Sequence, residues 1–432
     1  MKNKINWLEF AVGIILLVGV VLLGESKLEG PMLLFRLVMG LALGYTLSRA
    51  YTGFAGSINR AYNGGSTRLM RAMVMMFFIS SMIVAGLLLF NKNEAGEAII
   101  SYGLWVNPIN AGLILGGLLF GFGMTFSSCC ASGVMTDLAS DFPKALVTVI
   151  FFGMGVFLGM PIQNTADWVN VSWFNSASFE NGVFLPDLFA GTALNGFLGA
   201  IVVTGILCIL VVVLAYFYES YRKRFGKYQA IPSEVKQYSQ QDATPAEKEN
   251  LPRHIFNKIF VQPWTLEIGA LVIAILFGIM FAVTKSGWGA SAPYGVWFGK
   301  LLTLFGVSAE TLAGYTRGKP EMFTASIFSN GVGVQNIGIF LGALVFLFTS
   351  GQMAKTAKEF FSYPKWQYIL FVLGGLTMGF GTRLSNGCNV GALYSPIAAF
   401  SLSGWIFFVV LVLGGVMGNM VQSRIFAAKA KK

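Results

Sequence analysis

Two stretches of this chain carry residues with chemistry to offer. GGLLFGFGMTFSSCCASG runs from Gly116 to Gly133, and GGLTMGFGTRLSNGCNVG from Gly374 to Gly391. They align without a gap at a constant offset of 258 residues. Gly121, Gly123, Ser127 and Cys130 recur as Gly379, Gly381, Ser385 and Cys388. Each stretch ends an apolar helix at a thiol, and Ser127, Ser128, Ser132 and Asn389 add neutral hydrogen-bond donors. A thiol supplies a weak S–H donor and a polarizable sulfur. The short segment after each Cys can open a half-helix, whose first N–H groups would carry partial positive charge into a cavity and favour an anion. No acidic residue stands beside either Cys, and Asp137 comes about two turns later. Such a lining suits a soft, sulfur-containing anion better than a hard cation. The glycines at 121, 123, 379 and 381 let backbones approach closely and let a helix end inside the protein.

Free cysteine is also commonly buried as a small apolar residue. What lifts Cys130 and Cys388 above that reading is their equivalence in two copies of one device. Cys129 is a weaker candidate, because Gly387 stands in its place in the second copy. Cys208, in the apolar run GILCILVVV, reads as core. A fainter pair of cations accompanies the thiols. Arg49 stands four residues before Gly53 in SRAYTG, and Lys285 four before Gly289 in TKSGWG. A cation at each position could gather anions at a cavity mouth, or simply snorkel at a span end. Arg383 lies inside the second device, where an intramembrane arginine is costly and a functional candidate by default. Its counterpart is Thr125, so its role is asymmetric. Trp288 and Tyr294 are further lining candidates. The run MRAMVMM reads as packing, since a copper path would need converging Cys, Met or His ligands; no metal site and no cofactor are expected.

These residues need elements to hold them, and the composition says which. Hydrophobic residues make up 55% of the 432 and charged residues 11%, against about a quarter charged in a soluble domain. Mean hydropathy is +0.68. The expected fold is an all-α polytopic membrane protein. Ten apolar segments of spanning length centre near residues 16, 38, 80, 116, 152, 204, 273, 340, 374 and 412. Shorter segments rich in Gly, Ser or Ala, at 50–60, 131–141, 287–299 and 389–400, read as re-entrant helices lining a cavity. Residues 1–217 form an N-terminal half, 263–432 a C-terminal half, and 218–262 a polar, partly disordered linker.

The net charge of +11 reflects cationic cytoplasmic loops rather than nucleic-acid binding. Lys2, Lys4, Arg222, Lys223, Arg224, Lys227, Lys431 and Lys432 place both termini and the linker in the cytoplasm. The fourth and ninth spans then run in opposite directions, so the halves form two inverted repeats that meet at the substrate site.

The double GFG…C device resembles the YeeE/YedE family, the sulfur transport domain family of bacterial membrane proteins, over most of the chain outside the linker. That resemblance implies a thiosulfate-uptake type of permease in the inner membrane, with selenium or other sulfur compounds handled by related members. In thiosulfate members three pore cysteines pass the ion along through S–H hydrogen bonds. Two match Cys130 and Cys388, and the third position falls on Gly53. Some members pair with a small soluble sulfur-carrier protein. The leading reading is therefore a permease for a small sulfur-containing anion, without ATP use, since no GxxxxGK[ST] motif is present. A membrane thiol or persulfide oxidoreductase is the alternative from another class, opposed by the lack of CxxC and of an intramembrane His. A non-selective inorganic-anion channel is the third.

Overall fold

The computed structural model describes residues 6–91, 101–239 and 251–430. Ten long helices are α1 (Trp7–Lys27), α2 (Pro31–Ala50), α3 (Arg68–Phe90), α4 (Ala111–Ser127), α5 (Phe142–Thr165), α6 (Phe197–Arg224), α7 (Leu266–Thr284), α8 (Gly331–Thr349), α9 (Gln367–Leu384) and α10 (Leu402–Ala430). Among the described residues nine helices are long and apolar enough to cross a membrane, and α4 is a shorter apolar one of 17 residues. The protein is thus a multi-pass membrane protein, and the sequence-level count of ten spans differs only at α4. That helix is short because the chain turns at Ser128 into the left-handed region, at φ 54°. The equivalent turn after α9 is Asn386, at φ 56°. Tyr51 and Lys285 end α2 and α7 in the same way, at φ 50° and 57°. A left-handed non-glycine residue costs about 1–2 kcal/mol, so four such turns at four interrupted helices mark where the fold is forced to break.

Each break opens a short segment: Gly56–Asn59 continuing through Arg60–Gly64, Gly133–Ser140, Ala292–Leu304, and Asn389–Tyr394 continuing through Ser395–Ala398. The first two return to the face that carries the linker; the last two return to the opposite face. The order of elements from α2 to α5 therefore recurs from α7 to α10 with the faces exchanged. Helix contacts follow the same exchange. α2 packs on α8 as α7 packs on α3, α4 packs on α10 as α9 packs on α5, and α4 meets α9 at the centre.

Glycine makes these crossings possible. A Cβ at Gly116 would lie 2.6 Å from the Gly381 carbonyl oxygen, and one at Gly381 2.7 Å from that of Gly116. The image pair, Gly123 and Gly374, gives 2.6 and 2.8 Å. Without a hydrophobic drive between helices in lipid, close backbone packing of this kind is a main source of association. Main-chain ends are satisfied locally: the side chains of Asn110, Thr265 and Asn330 cap α4, α7 and α8.

Residues 218–262 are more ordered than their composition suggests wherever they are described. α6 continues to Arg224, and Pro232–Ser239 is helical. Glu219 accepts from Thr67 and pairs with Arg71 and Lys223. Glu234 pairs with Arg60 and accepts from Ser66, and the Gln237 amide donates to the carbonyls of Ala50 and Trp264. These anchors tie the linker across the ends of α2 and α3. Residues 240–250 of the expected linker lie outside the described residues.

Candidate functional site

Cys130 and Cys388 are both about 1% exposed. The Cys130 sulfur lies 3.5 Å from the Ser132 hydroxyl, just before the segment that begins at Gly133, and Cys388 immediately precedes the segment that begins at Asn389. Each thiol therefore stands at the start of its own short segment. Arg383 stands five residues before Cys388 in the same device. The buried Tyr294 hydroxyl donates to the Ala131 carbonyl, next to Cys130.

A cavity of about 390 Å³ opens on the linker face and reaches Cys129 and Cys130. Gly53, Ser128, Gly133, Arg60 and Asp137 also line it. Gly53 has open space where a side chain would stand. Asp137 comes seven residues after Cys130, in the segment Gly133–Ser140, and lines the same cavity. Asp137 is held by Lys144 at 3.0 Å, and Lys144 also meets Asp141 at 2.9 Å. Tyr363 donates to Asp141 at 2.7 Å. Burial, with that hydrogen bond, pushes the Tyr363 phenol up to about 12 against the pull of Lys144, so it remains a donor.

The other expected residues fall into three groups. Ser127, Ser385 and Asn389 are buried around the thiols. The Ser127 hydroxyl faces Met378 sulfur at 4.0 Å, Ser385 donates to the Gly381 and Gly387 carbonyls, and the Asn389 amide donates to Met124 sulfur at 3.3 Å. The Asn389 side-chain oxygen has no hydrogen-bond partner among the described residues. Gly121, Gly123, Gly379 and Gly381 hold helices together and do not line the cavity; a Cβ at Gly121 would lie 2.2 Å from the Leu411 carbonyl oxygen, and at Gly379 2.1 Å from that of Phe152.

The cations form the third group. Arg49 is turned to the linker and does not line the cavity. It donates to the Lys258 and Gln262 carbonyls and to Tyr45, and stacks over Trp264 at 4.5 Å. The cation that lines the cavity is Arg60, which is not among the sequence candidates. Lys285 lies on the opposite face, 5.0 Å above the Tyr102 ring. Arg383 is 6% exposed and bonded to Thr382, Gln163 and Ser291 at 3.3, 3.0 and 2.7 Å. All three partners are neutral.

This arrangement has relatives. A family model described as sulphur transport matches residues 49–417. The chain belongs to the sulphur transport family. The YeeE/YedE resemblance read from the double device is thereby established as family membership. A relative from Escherichia coli, described as the probable transporter YedE, is 30% identical over 164 residues, 37% of this chain and 39% of that protein. The chain thus spans about two fifths of the length of that relative. Thiosulfate transporter TsuA from Spirochaeta thermophila is 25% identical over 318 residues, covering 71% of this chain and 76% of that protein. TsuA from Escherichia coli is 22% identical over 391 residues, covering 89% and 92%. These are transporters by description, and none is described as an enzyme.

Proposed function

We propose that this protein is a permease that imports a small sulfur-containing anion, thiosulfate or a related sulfur or selenium species, across a bacterial inner membrane. The observation that carries this reading is the placement of Cys130 and Cys388, each thiol buried at the start of its own short segment. N–H groups converging on a buried point favour negative charge. A thiol beside them adds a donor that is soft enough to leave a sulfur-bearing anion only loosely held. Loose holding at more than one station is what conduction requires. In this reading the anion meets Cys388 under the charge of Arg383, crosses past Tyr294 to Cys130, and leaves through the cavity lined by Gly53.

The linker face is the cytoplasmic face, because Arg222, Lys223, Arg224 and Lys227 follow α6 there and Lys355, Lys358 and Lys365 join α8 to α9 on the same side. The halves act as inverted repeats around the two thiols. Moving one charge across a membrane potential of 100 mV costs about 2.3 kcal/mol, so inward movement of a divalent anion costs about 5 kcal/mol. Uptake therefore needs a co-transported cation or rapid consumption of the anion inside; a soluble sulfur-carrier protein at the cytoplasmic cavity would supply the second.

The test is uptake of radiolabelled thiosulfate into proteoliposomes by the native chain, Cys130→Ala, Cys388→Ala and Cys208→Ala. Saturable uptake lost in the first two and kept in the third is expected. Undiminished uptake in both of the first two would return these thiols to ordinary packing. Equal flux of chloride or sulfate would replace the permease with an unselective anion channel.

A further inference from the structure

The two faces of the molecule match in chain order but differ in what fills them. Gly53 and Gly133 line the open cavity on the linker face. Their counterparts are Gly289, four residues after Lys285 as Gly53 is four after Arg49, and Gly391, at the offset of 258. The corresponding space on the opposite face is taken by one side chain. A Cβ at Gly289 would lie 2.6 Å from the Trp105 ring, one at Gly391 2.9 Å, and one at Gly287 3.3 Å. None of these three glycines has a positive φ. Backbone conformation does not demand glycine there; the ring excludes a side chain at Gly289 and Gly391, while at Gly287 the Ser395 side chain lies nearer, at 2.9 Å.

Trp105 belongs to the connection between α3 and α4. Its strand-like segment is laid across the opposite face by polar contacts: the Gly103 N–H to the Lys285 carbonyl at 2.8 Å, the Trp105 indole N–H to the Ser286 hydroxyl at 3.1 Å, and the Asn107 amide to the Gly391 carbonyl at 3.2 Å. Tyr102 of the same segment sits under Lys285. The connection in the corresponding place of the second half, between α8 and α9, only rims the open cavity through Gln352, Thr356 and Glu359.

We propose that a second anion vestibule lies over Cys388, the counterpart of the open one over Cys130, and that the Trp105 ring occupies it as a removable plug. The inference rests on the permease reading for the identity of the anion. The segment is held by hydrogen bonds that water can replace once it lifts and by packing of Tyr102, Leu104 and Val106 on apolar neighbours, Tyr102 stacking on Phe281; the Trp105 ring itself is only half-buried. Lifting it uncovers Gly391 and the start of the segment that follows Cys388, and releases Lys285 from Tyr102 to face the incoming charge. With the plug seated, the path opens to the linker face alone; with it lifted, the opposite face is open. That is the exchange an inverted-repeat carrier performs around a fixed central site.

The test uses the full-length chain with Cys129, Cys130 and Cys208 changed to Ala, reconstituted so that a membrane-impermeant, negatively charged methanethiosulfonate reaches only the opposite face. Slow labelling of Cys388 is expected in this background. Trp105→Ala is expected to speed it at least tenfold. Gly289→Ala, which crowds the ring without removing it, is expected to act in the same direction, and thiosulfate is expected to slow labelling in both. A reporter thiol at exposed Ser101 checks access in every sample.

Labelling as fast in the background as in Trp105→Ala would overturn the plug. So would no acceleration in either variant while the Ser101 reporter reacts fully. Acceleration that thiosulfate does not slow would overturn the anion vestibule. These outcomes need no transport to be read, so failure of the plug stays distinct from failure of the permease assignment.

Discussion

Arg383→Gln gives the sharpest test of how the anion is held. The guanidinium is buried at the end of α9, beside Cys388, and its hydrogen bonds go to Gln163, Ser291 and Thr382. By contrast, Arg60, Arg71 and Lys144 each pair with a carboxylate, while buried Arg49 is held by two carbonyls and Tyr45. The charge of Arg383 is therefore uncompensated by any described acid, and an arriving anion feels all of it. At a separation of ~8 Å and an effective dielectric constant of ~20, one unit charge is attracted by about 2 kcal/mol, and a divalent anion by about 4 kcal/mol. That is roughly a thousandfold in affinity. Glutamine keeps an amide for Ser291 and Gln163 while removing the charge, so the helix end stays bonded. The assay is the concentration dependence of thiosulfate uptake in proteoliposomes, for the native chain, Arg383→Gln and Arg383→Lys. A rise of at least tenfold in KM for the glutamine variant is expected, with a smaller rise for lysine, which keeps the charge but loses the planar fork. Native KM in the glutamine variant, at equal protein incorporation and melting temperature, would refute the electrostatic role. Arg383 would then be a structural cap of α9.

Two further outcomes follow from the packing. Gly121→Ala and Gly379→Ala should each destabilise by about 1–3 kcal/mol, because each new methyl meets backbone oxygen on α10 or α5. Thermal unfolding in detergent should show similar losses for the two, since the positions are images of one another; a loss in one alone would argue against equivalent packing. Gly53→Cys should leave the melting temperature unchanged, since its side chain would enter open space. The new thiol should react with an impermeant maleimide applied from the linker face, and failure to react would show that the cavity does not reach Gly53.

Much of this molecule was legible in its chain. Ten apolar runs dictated the helices, because only a helix satisfies its own main-chain groups in lipid. The ungapped match between 116–133 and 374–391 announced one device made twice, and with it the central meeting of α4 and α9. Glycines repeated in both copies foretold close crossings, although their place is between helices rather than along the path. What the chain could not disclose depends on contacts between residues far apart in number. Asp137 comes seven residues after Cys130, and only the assembled structure shows that both line one cavity. Arg49 and Arg60 look alike as loop cations, and only the docking of the linker commits Arg49 to carbonyls at 258 and 262 and leaves Arg60 lining the cavity. Glu219, Glu234 and Gln237 look like solvated linker residues because their partners, Thr67, Arg60 and Ala50, lie more than a hundred residues away. Trp105 carries no local sign of its role, since the three glycines that receive its ring belong to two other segments. Periodicity and repetition are local properties and so are written in the sequence. Which side chain fills which space is decided by burial and charge pairing across the assembled helices, and only the tertiary structure sets those.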